Sequence, residues 1–136
     1  MTKYKNLPTF VDDIPFDSII ESRYYTYLKE RLAKGEIKGF TLQPVYELTP
    51  SFEKNGKKIR ATTYTPDFLI RHLDDSMEAI DIKGFPTQAS ELKKKWFDYR
   101  YPTIKLTWIS YVKKYGGWIN VDELKKKRKE NKKSER

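Results

Sequence analysis

Four residues carry the chemistry that this sequence can be expected to perform: Glu21, Asp67, Asp81 and Lys83. Asp67 stands in the run Thr65-Pro66-Asp67-Phe68, and fourteen residues later comes Asp81-Ile82-Lys83-Gly84. Two carboxylates at the ends of apolar strands, with a lysine two residues past the second, suit hydrolysis of a phosphodiester. At neutral pH that reaction needs a divalent cation to polarise a phosphoryl oxygen and lower the pKa of the attacking water. A hard cation such as Mg²⁺ takes a few carboxylate and carbonyl oxygens and keeps several of its waters. The lysine adds an ammonium beside the developing charge.

The spacing follows from strand geometry. Side chains alternate along a strand, so Asp81 and Lys83 share one face while Ile80 and Ile82 point to the other. The Ile82 carbonyl between them is a candidate further metal ligand. If the strands of Asp67 and Asp81 pair, the two acids converge on one ion. Each residue also has an ordinary reading. Ser18-Ile19-Ile20-Glu21 is a capping box, in which Glu21 reaches back to the start of a helix. Asp67 after Pro66 suits a turn, and Asp81 with Lys83 suits a solvated strand face. Against solvation, Ala79-Ile80-Asp81-Ile82 is an apolar run broken by a single acid. A buried carboxylate without a partner is costly, so two facing one place point to an ion.

These residues need elements to hold them. A helix is predicted from Pro15-Phe16-Asp17-Ser18 to about Lys34, where Gly35 stops it. Its apolar stripe is Ile20, Tyr24, Tyr27, Leu28 and Leu32, with Ser22, Arg23 and Arg31 outward. Phe40 to Phe52 reads as a first strand, and Asn55-Gly56 as a hairpin turn. The returning strand, Lys57 to Leu73, is expected to kink at Pro66. Asp74-Asp75-Ser76 makes the next turn, and Met77 to Lys83 is a third strand ended by Gly84 and Pro86. A second helix runs from Ala89 to Arg100, with Ala89, Leu92, Trp96 and Arg100 in line. Ile104 to Val112, apolar on both faces, reads as a strand central in a covered sheet. Gly116-Gly117 then breaks the chain before Trp118. A last helix capped at Asp122 has little apolar face after Leu124 and is expected to fray into a basic tail.

Composition bounds the class of protein. A chain of 136 residues makes one domain with a real core. No cysteine is present, which excludes a disulfide framework, a cysteine-based zinc site and a thiol nucleophile. No apolar run approaches a membrane span and no signal-peptide pattern opens the chain, so an intracellular, cytoplasmic protein is expected. The net charge is +9. From Asp122 to Arg136 there are eight Lys or Arg against four Asp or Glu, leaving twenty basic and fifteen acidic residues elsewhere. The body is therefore basic as well as the tail, and a basic domain attracts polyanions, nucleic acid above all.

Pro66-Asp67 followed by Asp81-Ile82-Lys83, with Glu21 on a first helix, resembles the PD-(D/E)xK nuclease superfamily. More closely, Phe16-Asp17-Ser18, Glu21, Tyr24-Tyr25, Gln43-Pro44, Tyr64, Pro66-Asp67-Phe68 and Asp81-Ile82-Lys83-Gly84 resemble a family of small phage-encoded proteins. That family was long catalogued as a domain of unknown function and is regarded as PD-(D/E)xK endonucleases. The match spans Phe16 to Val112. It implies an α/β fold in one domain, a central mixed sheet flanked by helices with an αβββαβ restriction-endonuclease-like core. The expected organisation is an irregular segment over 1–15, the nuclease-like domain over 16–121 and a basic helix or tail over 122–136. The resemblance further implies Mg²⁺ or Mn²⁺ at Glu21, Asp67, Asp81 and the Ile82 carbonyl, with Lys83 at the attacking water. Phage Holliday-junction resolvases share this order of site residues. The second carboxylate here is Asp rather than the commoner Glu, a shorter arm.

The expected function is a structure-selective endonuclease of branched or duplex DNA in phage recombination or packaging, working as a homodimer in the cytoplasm of the infected or lysogenic host. Two other readings stay open: a non-catalytic DNA-binding or replication-accessory module on the same fold, and an exonuclease or single-strand nuclease. Candidate DNA contacts are Gln43, Lys93, Lys94, Lys95, Lys125, Lys126, Lys127 and Arg128; for any one lysine a solvated helix face is the plainer role. His72 is the only histidine and is assigned none. Trp96 and Trp108 are expected in the core.

Overall fold

The computed structural model describes residues 9–83 and 86–134. Tyr4, Pro8 and the strand-ending Gly84 lie outside the described residues. The described part of the segment expected to be irregular, from residue 9 on, forms a small hairpin, β1 (Thr9–Val11) against β2 (Ile14–Phe16), turned by Asp12 and Asp13 at φ 52° and 63°. Helix α1 (Ile19–Ala33) follows. The Ser18 side chain accepts the Glu21 N–H at 3.2 Å, closing the first turn, and Gly35 at φ 72° ends it. The predicted limits hold because both ends have a chemical stop.

The long first strand does not form. Gln43 takes a left-handed φ of 46° before Pro44, so Gly39–Leu42 becomes β3 and Tyr46–Thr49 becomes β4, with Phe52–Lys54 as β5. The Asn55-Gly56 turn is present, both residues at positive φ, and it joins β5 to β6 (Lys57–Ile59). The return is likewise broken, into β7 (Thr62–Tyr64) and β8 (Phe68–Arg71), with Pro66 buried between them. Strand β9 (Met77–Ile82) completes a hairpin with β8, closed by backbone bonds between His72 and both Ser76 and Asp75. Then come α2 (Gln88–Arg100), β10 (Lys105–Val112), a 3-10 turn, β11 (Gly117–Asn120) and α3 (Val121–Ser134).

The main sheet is mixed and five-stranded, in the order β11-β10-β9-β8-β3. Neighbours pair antiparallel except β9 and β10, which are parallel and joined through α2. Helix α1 covers one face, where Tyr24, Tyr25 and Leu28 meet Phe68, Ile70 and Ile80. On the other face Phe97 of α2 packs with Leu48, Ala79, Leu106, Trp108 and Val121. Several helix faces differ from the predicted stripes. Ser22 is buried, its hydroxyl donating to the Ile19 carbonyl at 2.6 Å, whereas Leu32 and Leu92 are exposed. Phe97, not Leu92, anchors α2. Helix α3 is capped by Asn120, whose Oδ1 accepts the Asp122 N–H at 2.8 Å. Val121 and Leu124 are buried, so the first turn of the expected tail belongs to the core.

Candidate active site

Hairpin β8–β9 sets the site. Its register pairs Phe68 with Ile80, and one step beyond lie Asp67 and Asp81. Phe68 and Ile80 point toward α1, so by alternation Asp81 emerges on the face of α2, while Asp67, just ahead of β8, lines a cavity with Glu21 of α1. Asp67 is held by the Ile82 N–H, which donates to Oδ2 at 2.8 Å. Asp81 is buried, and its Oδ2 accepts from the Tyr64 hydroxyl at 2.5 Å. The Lys83 Nζ stands 3.2 Å from the same oxygen. Tyr64 in turn accepts the Trp108 indole N–H at 3.3 Å. Lys83 is pinned at its backbone as well: its N–H donates to the Ile109 carbonyl at 2.9 Å and its carbonyl accepts from the Ser110 hydroxyl.

The electrostatics are those of crowded acids. The Asp67 carboxyl is pushed up to about 8, first by burial, then by the hydrogen-bonded and charged Asp81 carboxyl beside it; the Ile82 N–H works the other way. Glu21 is also raised, by burial and by the charges of Asp17 and Asp81, against hydrogen bonds from Ser18 and the Asp17 backbone. Burial and Asp81 keep the Tyr64 phenol protonated far above its usual range. Among the described residues no three carboxylate or imidazole groups gather as a metal-binding set. Asp67 and Asp81 meet; Glu21 feels the charge of Asp81 and shares with Asp67 a cavity of about 180 Å³, which Gln43 also lines.

The two acids nevertheless fit a divalent cation, since desolvated like charges in contact are what such an ion relieves. Asp67 and Asp81 would hold it, Glu21 completing the set directly or through water. The Ile82 backbone is at the site through the N–H it gives Asp67.

A second opening reaches Asp81 from the side of α2. A cleft of about 520 Å³ is lined by Thr63, Tyr64, Thr65, Asp81, Lys83 and Lys93, among others. Lys93 thus stands at the site, its Nζ 3.4 Å from the Thr63 carbonyl. Lys94 is paired with Asp98 at 3.1 Å, and with Lys95 it lines a separate groove over Trp108. Lys125 closes that groove from α3, 3.8 Å from Glu91. Arg128 shares a cleft with Glu21 and Lys83; Lys126 is exposed, and Lys127 lies over the Tyr115 ring.

Residues 1–117 match the model of a family described as a protein of unknown function, DUF1064. The chain belongs to that family. The match takes in every element that bears Glu21, Asp67, Asp81 and Lys83, whereas α3 of this DUF1064 member lies beyond it. No curated protein and no solved structure matches the chain.

Trp108 and the Tyr64 hydroxyl were not assigned to the site by the sequence. Tyr64 lies 17 residues from Asp81 and Trp108 lies 44 from Tyr64, so only the folded sheet brings them together. An aromatic with a polar tip ahead of Pro66-Asp67 was the one available signal.

Proposed function

We propose that this DUF1064 member is a metal-dependent nuclease of the PD-(D/E)xK type, acting on branched or duplex DNA. One observation carries the reading: Asp67 and Asp81 meet on adjacent strands with the Lys83 ammonium 3.2 Å from Asp81. The order α1, β3, β8, β9, α2, β10, with the β4–β7 excursion set aside, supports the reading, since that superfamily's core runs αβββαβ. When bound at the acids, Mg²⁺ or Mn²⁺ would supply polarisation of a phosphoryl oxygen and a more acidic water. The chain's own part is positional. Tyr64 and the Ile82 N–H fix the two carboxylates, and Lys83 holds a cation on the open side of Asp81. There it can orient the nucleophile or balance the charge that develops on the phosphoryl oxygens as the sugar oxygen leaves. Trp108 steadies the Tyr64 hydroxyl that supports Asp81. Lys93 and Arg128 border the clefts and suit phosphates of the substrate strand.

Cutting paired strands calls for two sites, so a two-fold homodimer is part of the proposal. Light scattering at micromolar concentration should give about twice the 16.3 kDa chain mass; a monomer that makes paired cuts would remove this part.

A non-catalytic binding module is the second reading. It is favoured by Asp81 being satisfied by Tyr64 and Lys83 without any ion. Incubation with Mg²⁺ and a four-way junction, a flap, a linear duplex and a single strand separates the readings. Cleavage lost in Asp81→Asn and Lys83→Ala supports the nuclease, and cutting only from ends would make it an exonuclease. Binding without cleavage in any metal supports the module, and full activity in Asp81→Asn ends the assignment.

A further inference from the structure

The hairpin β5–β6 is a limb rather than a part of the sheet. Its strands pair only with each other, and every residue from Pro50 to Arg60 is exposed. The segment carries Lys54, Lys57, Lys58 and Arg60 against one carboxylate, Glu53. Among the described residues, no ion pair engages any of these four cations. The register sets Lys54 directly across from Lys57 and Phe52 across from Ile59, pairs that by alternation share one face; Glu53 faces Lys58 on the other. Like charges directly opposite destabilise a ribbon. Exposed apolar residues beside them, Phe52 at 47 % and Ile59 at 39 %, gain nothing for the isolated chain. Both features become favourable against a polyanion whose groove walls offer sugar edges between phosphates.

The limb is also aimed by the chain path. Strand β6 runs through Arg60 and Ala61 into β7, whose Tyr64 touches Asp81. At about 3.3 Å per residue, Lys57 lies within about 23 Å of Tyr64 along an extended strand. That reach is under one turn of B-form duplex, about 34 Å, and a major groove about 12 Å wide admits a two-stranded ribbon.

We propose that the β5–β6 ribbon is a duplex-DNA grip, contacting the phosphates and groove flanking the bond held at Asp67 and Asp81. This rests on the nuclease reading only for the choice of substrate. The test is equilibrium binding of a fluorescent 30-base-pair DNA duplex in EDTA, from about 50 to 200 mM salt, for the wild-type chain and for K54Q/K57Q/K58Q/R60Q. A second variant, F52S/I59S, removes the apolar pair.

The quadruple variant should bind about tenfold or more weakly at 100 mM salt, with a salt slope reduced by about 3, since each phosphate contact contributes roughly 0.9. F52S/I59S should weaken binding without changing the slope. Melting temperatures should stay within about 2 °C, the positions being exposed. Unaltered affinity and slope in the quadruple variant, or tighter binding of a matched RNA duplex, would overturn the proposal. So would a concentration-dependent dimer lost in the quadruple variant with DNA affinity intact, which would seat a second copy on the ribbon. Because cleavage is not read, loss of DNA affinity in a chain that cuts nothing would sustain the grip and sink only the nuclease.

Discussion

Replacing Asp67 by Asn should make the metal-free protein more stable, and more so as the pH rises. Asn keeps an oxygen to accept the Ile82 N–H and gains an amide that can donate to the Asp81 carboxylate, while it removes a charge from a desolvated place. The sign follows from linkage. The Asp67 carboxyl titrates near 3.8 when unfolded and near 8 in the fold. Below about pH 4 both states carry the proton and nothing is lost. As the pH rises through that window the unfolded chain releases its proton while the folded one retains it, so stability falls.

At pH 7 the interval is about three units, and at about 1.4 kcal/mol per unit the ceiling is about 4 kcal/mol. The hydrogen bond that the Asp67 carboxyl makes to Asp81 accounts for part of that, so a gain of about 1–3 kcal/mol is expected at pH 7 and under about 1 kcal/mol at pH 5. Urea unfolding in EDTA at the two pH values, wild type beside variant, reads the difference directly. Added Mg²⁺ should then stabilise the wild type and leave the variant unmoved. A variant that is destabilised equally at both pH values would refute the reasoning, because it would make Asp67 a hydrogen-bonding residue and no more.

Glu21→Gln leaves in place the Ser18 side chain that accepts the residue-21 N–H, so stability should change by less than about 1 kcal/mol, while turnover at saturating Mg²⁺ should fall about a hundredfold; wild-type turnover would remove Glu21 from the site. Tyr64→Phe leaves Asp81 and the Trp108 indole each short of a partner. It should cost about 1–3 kcal/mol by thermal or urea unfolding and lower metal-dependent turnover about tenfold; a variant with wild-type turnover would show that Asp81 needs no such support. Neutralising Lys126, Lys129 and Lys133 on α3 to Gln should reduce the salt slope of DNA binding by about 2–3 with an unchanged melting temperature, and an unchanged slope would free α3 of any electrostatic role. Cutting the chain after Leu124 is the poorer test, because Asn131 donates to the Tyr115 hydroxyl at 2.5 Å and ties the helix to the body.

What the sequence disclosed was whatever local chemistry decides. Ser18 and Gly35 bracket α1, Asn55-Gly56 turns the ribbon, and period two places Asp81 and Lys83 on one face, because each is settled within a few residues. The break of the first strand at Gln43 was missed. Pro44 marked it, but the left-handed Gln43 is held by its N–H bond to the Asp67 carbonyl at 3.0 Å, a contact between distant segments. Strand β11 was missed because Gly116-Gly117 reads as a break and the strand has only four residues; Trp118 is secured by ring contacts with Tyr24, Tyr27 and Tyr111. Leu92 was placed in the helix stripe for its type, yet the sheet meets α2 at Phe97. The site followed the same division: its acids and lysine were legible, and the Tyr64–Trp108 chain behind Asp81 was not.

The tight turn between β8 and β9 has a consequence for how the molecule folds. Asp67 and Asp81 sit at the open end of one short hairpin, so a local event on the microsecond scale brings them together. The parallel pairing of β9 with β10 must wait for α2 to cross over, a slower closure of a longer loop. The carboxylates therefore first meet in water, where their repulsion is screened, and feel each other fully only when β10 and α2 close over them. Alkaline solutions without divalent ions should slow that late docking and leave the hairpin unhindered, whereas a cation captured by the half-formed sheet should speed it. On the proposed metal-bound reading, the ion would also be a folding cofactor, recruited before there is any cleft for a substrate to enter.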